Sequence, residues 1–476
     1  MADRPHILIV GGGYVGMYTA LRLQRKLRRT EADITVVDPR NYMQYQPFLP
    51  ETAAGSLEPR HVVVPLRKVL RKCRVVTGTV TGIDHGRRVA TVAPLEGPEQ
   101  ELAYDVVVVA PGSVVRTLPI PGLAEEGIGF KTVAEAIYLR NHVLSRLDYA
   151  ASVTDEARRR KALTFVFIGG GYAGVEAFAE LEDMARYATR YYPDIRPADL
   201  RWVLVEAAGR ILPEVSVPMS EYTVRQLLKR DLDVRLETRV ESLVGGHVVL
   251  SDGEEFDAET IVWTAGVKAH PMLTHTDLPL DAKGRLVCTP DLRVAGVEGA
   301  WSAGDCAAVP DLTASEEGVT TSPSAQHAVR QAKTLAANIA ASLRHRPLAD
   351  YKHKHVGSVA SLGLYRGVAE VYGIKLRGVA AWFMHRTYHL SRMPTLNRKS
   401  RVLADWTMAL FFPREVVSLG QLAQPKQEFQ AAARPAAVTP APDGRAGSDG
   451  RPAADAHAAQ TTQPAGAREP GSTRAG

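Results

Sequence analysis

Gly11-x-Gly13-x-x-Gly16 stands between a short apolar run, His6 to Val10 (HILIV), and a stretch of helical character that continues through Leu27. Glycines at that spacing have separate tasks: a tight turn, close approach of a pyrophosphate to the backbone, and close packing of helix on strand. The helix that follows offers unpaired N–H groups and the positive end of its dipole to the phosphates. Asp38 ends the next apolar run, ITVVD, about 20 residues on, where a carboxylate accepts hydrogen bonds from a ribose 2′-hydroxyl. A glycine-rich turn by itself would bind nothing. Strand, helix and terminal acid together point to a dinucleotide.

The pattern occurs twice. Gly169-x-Gly171-x-x-Gly174 follows TFVFI (164–168) and leads into a helical stretch through Met184, and Glu206 ends the next run, WVLVE. An acid there favours NAD over NADP, because it binds the free 2′-hydroxyl and repels a 2′-phosphate; Arg210 lies close enough in sequence to soften that preference. Glu176 is placed in the first turn of the second helix. Two roles stay open for it: complementing the helix dipole, or acting as a carboxylate near the redox centre that tunes hydride transfer or relays protons.

The elements that must position these residues are parallel strands alternating with helices. Further Val/Ile-rich runs at 105–109, 202–205 and 261–263 give α/β architecture with parallel sheets. A length of 476 residues, 45% of them hydrophobic and 23% charged, suits two or three globular domains. Cys73, Cys288 and Cys306 are scattered without metal or disulfide spacing, so no metal site is expected and a reducing compartment is the default. No secretory signal is read at the N-terminus and no run is long and apolar enough to span a bilayer.

On these motifs the chain resembles the two-dinucleotide-binding flavoproteins, in which an NAD domain is inserted into an FAD domain. Tyr104–Ser113 (YDVVVVAPGS) resembles the exit from the FAD domain and Thr260–Val267 (TIVWTAGV) the return. Gly299–Ala307 (GAWSAGDCA) is similar to the second flavin motif, which implies that Gly304 and Asp305 hold FAD, Asp305 at the ribityl chain. Within that group the chain is similar to the type II NADH dehydrogenases, single-subunit NADH:quinone oxidoreductases. Three stretches carry this: Tyr42–Arg67, Ser322–Ile339 (SPSAQHAVRQAKTLAANI), and 356–420 with Gly378–Trp382 (GVAAW) and Arg401–Trp406 (RVLADW). The likeness covers roughly 5–422.

The resemblance implies that Gly11, Gly13, Gly16 and Asp38 also hold FAD and that Gly169, Gly171, Gly174 and Glu206 hold NADH. It places Glu176 near the nicotinamide and Gln326 and Arg330 near a quinone. The last is a departure, since the usual AQxAxQ of that helix here has Arg330 for its second glutamine. Where disulfide reductases of this fold carry a cysteine pair, the chain reads Gln44-Tyr45-Gln46-Pro47, which argues against dithiol chemistry. The implied domains are 1–118 and 259–342 for FAD, 119–258 for NAD(P)H, 343–423 for a membrane- and quinone-associated region, and 424–476 for a disordered tail.

The charge is local. Residues 375–424 hold eight Lys/Arg and two acids, a surplus equal to the whole formal net charge of +6. Basic residues interleaved with Trp382, Phe383, Met384, Tyr388, Trp406 and Phe411 suit an interfacial helix on anionic lipid; no nucleic-acid fold signature accompanies them. The resulting expectation is FAD-dependent oxidation of NADH by a membrane quinone, peripheral at the cytoplasmic face of the cell membrane and without proton pumping. Competing readings are a soluble FAD-dependent NAD(P)H oxidoreductase with another acceptor, and a non-catalytic redox sensor. Homodimerisation is left open.

Overall fold

The structure, a computed structural model, describes residues 4–316, 318–353, 357–412, 414–419 and Lys426. The tail expected over 424–476 lies outside them, Lys426 apart.

Two mainly parallel sheets organise the body. The first runs, in spatial order, Ala300–Ser302, Val106–Val109, His6–Val10, Asp33–Asp38, Arg74–Asp84, Val89–Pro94 and Gln100–Ala103. Its first five strands are parallel and the last two close it as antiparallel neighbours. The second runs Gly127–Gly129, Thr260–Trp263, Thr164–Ile168, Arg201–Val205 and Asp233–Arg235, parallel throughout. The chain therefore leaves the first sheet after Val109, builds all of the second, and returns at Ala300, which is the inserted topology that the sequence motifs implied. Val106–Val109 and Thr164–Ile168 are buried along nearly their whole length, as strands covered on both faces must be, and this is why they read as continuous apolar runs.

The helices that matter to the sites begin where the expected chemistry places them. Tyr14–Lys26 and Tyr172–Ala188 each start one residue after a glycine N-cap. Glu176 is thus the fifth residue of its helix, past the first turn, and of the two roles open for it the dipole role falls away: no acid occupies that first turn. Val133–Ser152 is opened by a capping box in which Thr132 accepts from the Glu135 amide and Glu135 accepts from the Thr132 amide. Ser324 caps Ala325–Ser342 by accepting from the His327 amide.

After the return to the first sheet, Gly357–Ser361, Gly367–Val371 and Ile374–Arg377 form an antiparallel sheet. The basic-aromatic stretch then folds as two helices, Gly378–Arg392 and Leu396–Phe411, rather than one interfacial helix. Pro394 between them has no N–H and disfavours helical geometry in the residue before it, so the chain turns there.

Candidate functional site

The two glycine fingerprints have the same construction. Gly11 and Gly169 adopt φ of +99° and +116°, a region that favours glycine. A Cβ on Gly16 would lie 1.7 Å from the Gly11 carbonyl oxygen, and one on Gly174 would lie 1.9 Å from that of Gly169; helix and turn meet backbone to backbone. By contrast, nothing stands within 4 Å of a Cβ on Gly13 or Gly171, so that side of each turn is open. Neither helix has a side-chain N-cap. Their first-turn amides are left for an anion, which is what a pyrophosphate requires.

The acids close the same loop in both. Gly12 N–H donates to Asp38 Oδ2 at 2.7 Å, and Arg40 N–H to Oδ1 at 2.7 Å. In the second sheet Gly170 N–H donates to Glu206 Oε2 at 2.5 Å and Ala208 N–H to Oε1 at 2.8 Å. Each carboxylate is fixed at a strand end with lone pairs to spare for a ribose. Burial raises the pKa of Asp38 from its ordinary value, against the two amides that favour its charge. Arg210 turns away, its guanidinium donating to the Pro213 and Val215 carbonyls, so its cation is engaged beside its own loop.

A cleft with about 1520 Å³ of empty space, its solvent mouth included, runs along the first fingerprint, lined among others by Gly11, Gly13, Asp38, Ser113, Lys131 and Asp305. Ser113 Oγ donates to Asp305 Oδ2 at 2.7 Å and accepts from Lys131 Nζ at 2.9 Å. Burial lowers the pKa of Lys131, against the pull of Asp305 and Glu135. Gly304 N–H donates to Gln331 Oε1 at 2.7 Å, which ties this turn to the helix behind it. The duplicated open amides, the ribose-side acid and the polar floor at Asp305 fit an elongated dinucleotide such as FAD. Lys131 was not singled out from sequence, although it stands directly before the Thr132-x-x-Glu135 box that fixes the start of a helix.

Gln44 and Gln46 line the same cleft, and Gln44 is locked by the Lys131 carbonyl and the Val133 amide. No thiol stands there. Cys288 and Cys306 are buried, and burial pushes the Cys306 thiol up to about 11.

Gln326 and Arg330 are not among the cleft's lining residues, although Ala325 and Ala328 of their helix are. Gln326 Nε2 donates to the Gly357 carbonyl at 3.0 Å, and Arg330 folds back to donate to the Gln326 carbonyl at 3.0 Å. Glu176 faces the C-terminal region: Oε1 accepts from Ser361 N–H at 2.8 Å and lies 3.1 Å from His385 Nε2. His385, Glu51 and Arg386, which meet there, were missed because nothing local in the sequence links them.

Comparison with known proteins places the chain and its fold. The profile of the pyridine nucleotide-disulphide oxidoreductases matches residues 5–332. A type II NADH:quinone oxidoreductase of Staphylococcus aureus is 30% identical over 391 residues, 81% of this chain and 94% of the other. The type II NADH:quinone oxidoreductase Ndh of Mycobacterium tuberculosis is 28% identical over 446 residues, 90% of this chain and 92% of the other. The solved structure of an NDH2 from Plasmodium falciparum in complex with NADH shares the fold at a TM-score of 0.80 and 17% identity, covering 87% of this chain and 100% of that one. The chain belongs to the pyridine nucleotide-disulphide oxidoreductase family, among its type II NADH:quinone oxidoreductases.

Proposed function

We propose that this chain oxidises NADH and passes two electrons through bound FAD to a membrane quinone. The observation that carries it is the duplicated dinucleotide site: two open glycine turns, each with its acid locked by two amides, on two sheets of one body. One site suits a dehydrogenase; two suit a flavoprotein that takes its electrons from a second dinucleotide. When bound, FAD supplies the two-electron chemistry that no amino-acid side chain here offers.

The chain's own residues position and exclude. Gly11, Gly13 and Gly16 leave room for the FAD pyrophosphate, Asp38 takes its ribose, and Gly304 and Asp305 take the ribityl side with Ser113 and Lys131. Gly169, Gly171 and Gly174 seat the NADH pyrophosphate and Glu206 its 2′-hydroxyl; with Arg210 turned away, NADH is the expected donor over NADPH. Glu176 is assigned near the nicotinamide, where it tunes hydride transfer or relays protons; its contact to His385 supports the relay. Gln326 and Arg330 are assigned to the quinone end of the same helix that lines the flavin cleft.

Docking is peripheral, at the cytoplasmic face. Val379, Phe383, Leu403, Leu410 and Phe411 are exposed on the two C-terminal helices while Trp382 and Trp406 turn inward, and the surrounding Lys/Arg suit anionic headgroups. Among the described residues no helix is long and apolar enough to cross a membrane, and no proton pumping is assigned to this chain. The test is to purify the protein, identify the released chromophore, and follow NADH consumption with a soluble quinone analogue. FAD with quinone-dependent turnover supports the reading. FAD with turnover by oxygen alone, or another chromophore, removes it.

A further inference from the structure

Where the nucleotide helix Tyr172–Ala188 meets the C-terminal helices, six buried ionisable groups balance their charge only when they hold one extra proton. Three are carboxylates: Glu51 from the helix Leu49–Ala53, and Glu176 and Glu180 from Tyr172–Ala188, with side-chain exposures of 1%, 8% and 1%. Two are guanidiniums: Arg386 Nη2 lies 3.0 Å from Glu51 Oε2, and Arg414 Nη2 lies 3.4 Å from Glu180 Oε2. The sixth is His385, itself 1% exposed, with Nε2 3.1 Å from Glu176 Oε1 and Nδ1 4.0 Å from Glu51 Oε1. Burial raises the Glu180 pKa against the pull of Arg414, but with all three carboxylates charged a neutral imidazole would leave three anions facing two cations out of water, which is costly. A charged one makes three against three.

Among the described residues, the neighbouring elements do not supply the missing charge. Ser361, from the strand Gly357–Ser361, donates its N–H to Glu176 and its Oγ to Glu180. Trp406 Nε1, from Leu396–Phe411, donates to Glu51 Oε2 at 2.7 Å. On that same helix Asp405 is paired with His61. Asp183, on the helix of Glu180, is paired with Arg230 and Arg366, and Arg140 of Val133–Ser152 donates to the Glu415 carbonyl. His389, one turn beyond His385, is kept neutral: burial, then the charge of His385, holds its pKa well below the ordinary value. For His385 burial also opposes charge, but its close approach to Glu176 and the charges of Glu176, Glu51 and Glu180 outweigh that and raise its pKa above the ordinary value.

The site also has free valences. Glu51 Oε1 and both ring nitrogens of His385 are buried without a hydrogen-bonded partner, because the 3.1 Å approach to Glu176 is off the line of a formed bond. Oxidation of NADH by a quinone removes one hydrogen with its electron pair and adds two hydrogens to the quinone oxygens, so each turnover takes up one proton from solution.

We propose that His385, held between Glu176 and Glu51, is the buried one-proton store for that uptake. The imidazolium N–H bond breaks with its electrons staying on the ring nitrogen, the proton passes to Glu176 Oε1 and on toward the acceptor, and solvent recharges the ring. Glu51 is a positioning residue: it sets the proton affinity of His385 and, through Trp406 and Arg386, holds both C-terminal helices against the store. This rests on the quinone reading above.

The experiment uses FAD-loaded protein with 15N-labelled histidine, titrated from about pH 5 to about pH 9, with the H385Q spectrum assigning the ring. Wild type should show a charged ring at neutral pH. E51Q should lower its proton affinity about tenfold, slow flavin reoxidation by a soluble quinone analogue, and move the alkaline limb of that step by the same amount; E51D should restore part of both. A ring that is neutral at neutral pH in wild type overturns the proposal without any variant. So does an affinity unmoved in E51Q, or a reoxidation profile that fails to follow it. If no quinone reoxidises the wild type, the functional reading has failed and the store falls with it; if quinone reoxidises a protein whose ring is neutral, only the store has failed.

Discussion

At the residue scale, the two acids at the strand ends and the one at the cleft floor have separable consequences. Glu206 holds Gly170 N–H and Ala208 N–H while presenting lone pairs to a ribose. Hydrogen bonds to a charged group are each worth about 1.5–3 kcal/mol, so Glu206→Ala should raise the Michaelis constant for NADH at least tenfold and narrow the gap to NADPH. Steady-state kinetics with both donors checks it; an unchanged preference contradicts the ribose role. Asp305→Ala strips the acceptor that Ser113 and, through it, Lys131 are arranged around. The protein should purify with markedly less flavin by absorbance, and normal occupancy would contradict the assignment. The position of Glu206 was legible because a glycine turn and its acid are a local signature, set by backbone geometry within one βα unit; Asp305 was singled out only by resemblance to the second flavin motif. The contacts of Glu51 with Arg386 and Trp406 were not legible, because partners from opposite ends of the chain leave no spacing to read.

At the scale of elements, burial and capping explain what was seen early and what was not. Strands such as Val106–Val109, covered on both faces, announce themselves as apolar runs. The short strands of the sheet Gly357–Ser361, Gly367–Val371 and Ile374–Arg377 carry exposed positions and glycines, so their pattern is weak and the sheet went unread. Glu176 was set one turn too early because fingerprint spacing fixes the glycines but leaves the first helical residue to the cap geometry. Thr132 shows what a cap contributes: it opens Val133–Ser152 directly after Lys131, so Thr132→Ala should cost about 1 kcal/mol, read as a lower urea midpoint. No change would mean that packing alone fixes this helix start. The pKa of His385 gives a second, thermal readout. Because it is raised on folding, the ring's stabilisation is full below about pH 6.5 and is lost as pH rises through the folded value. The melting temperature of wild type relative to H385Q should therefore fall with rising pH; a difference independent of pH would mean that the ring contributes packing alone.

At the scale of the whole molecule, the two sheets place both strand-end acids where dinucleotides bind, outside the carboxyl ends of parallel strands, and the C-terminal helices add an apolar face with basic flanks. Leu410 and Phe411 are 64% and 73% exposed, so replacing both with Glu removes apolar contact and adds repulsion from anionic lipid. The double variant should lose sedimentation with anionic vesicles while keeping NADH oxidation with a water-soluble quinone; retained binding would place the membrane contact elsewhere.

The central claim is that one chain carries electrons from NADH to a quinone through its flavin, and stopped-flow absorbance tests it most directly. FAD-loaded protein is reduced anaerobically with NADH and then mixed with a short-chain menaquinone analogue. The account predicts rapid bleaching by NADH followed by rapid recovery of the oxidised spectrum on mixing with quinone. Bleaching without recovery would contradict the acceptor, and absence of bleaching would contradict the pairing of the two dinucleotide sites.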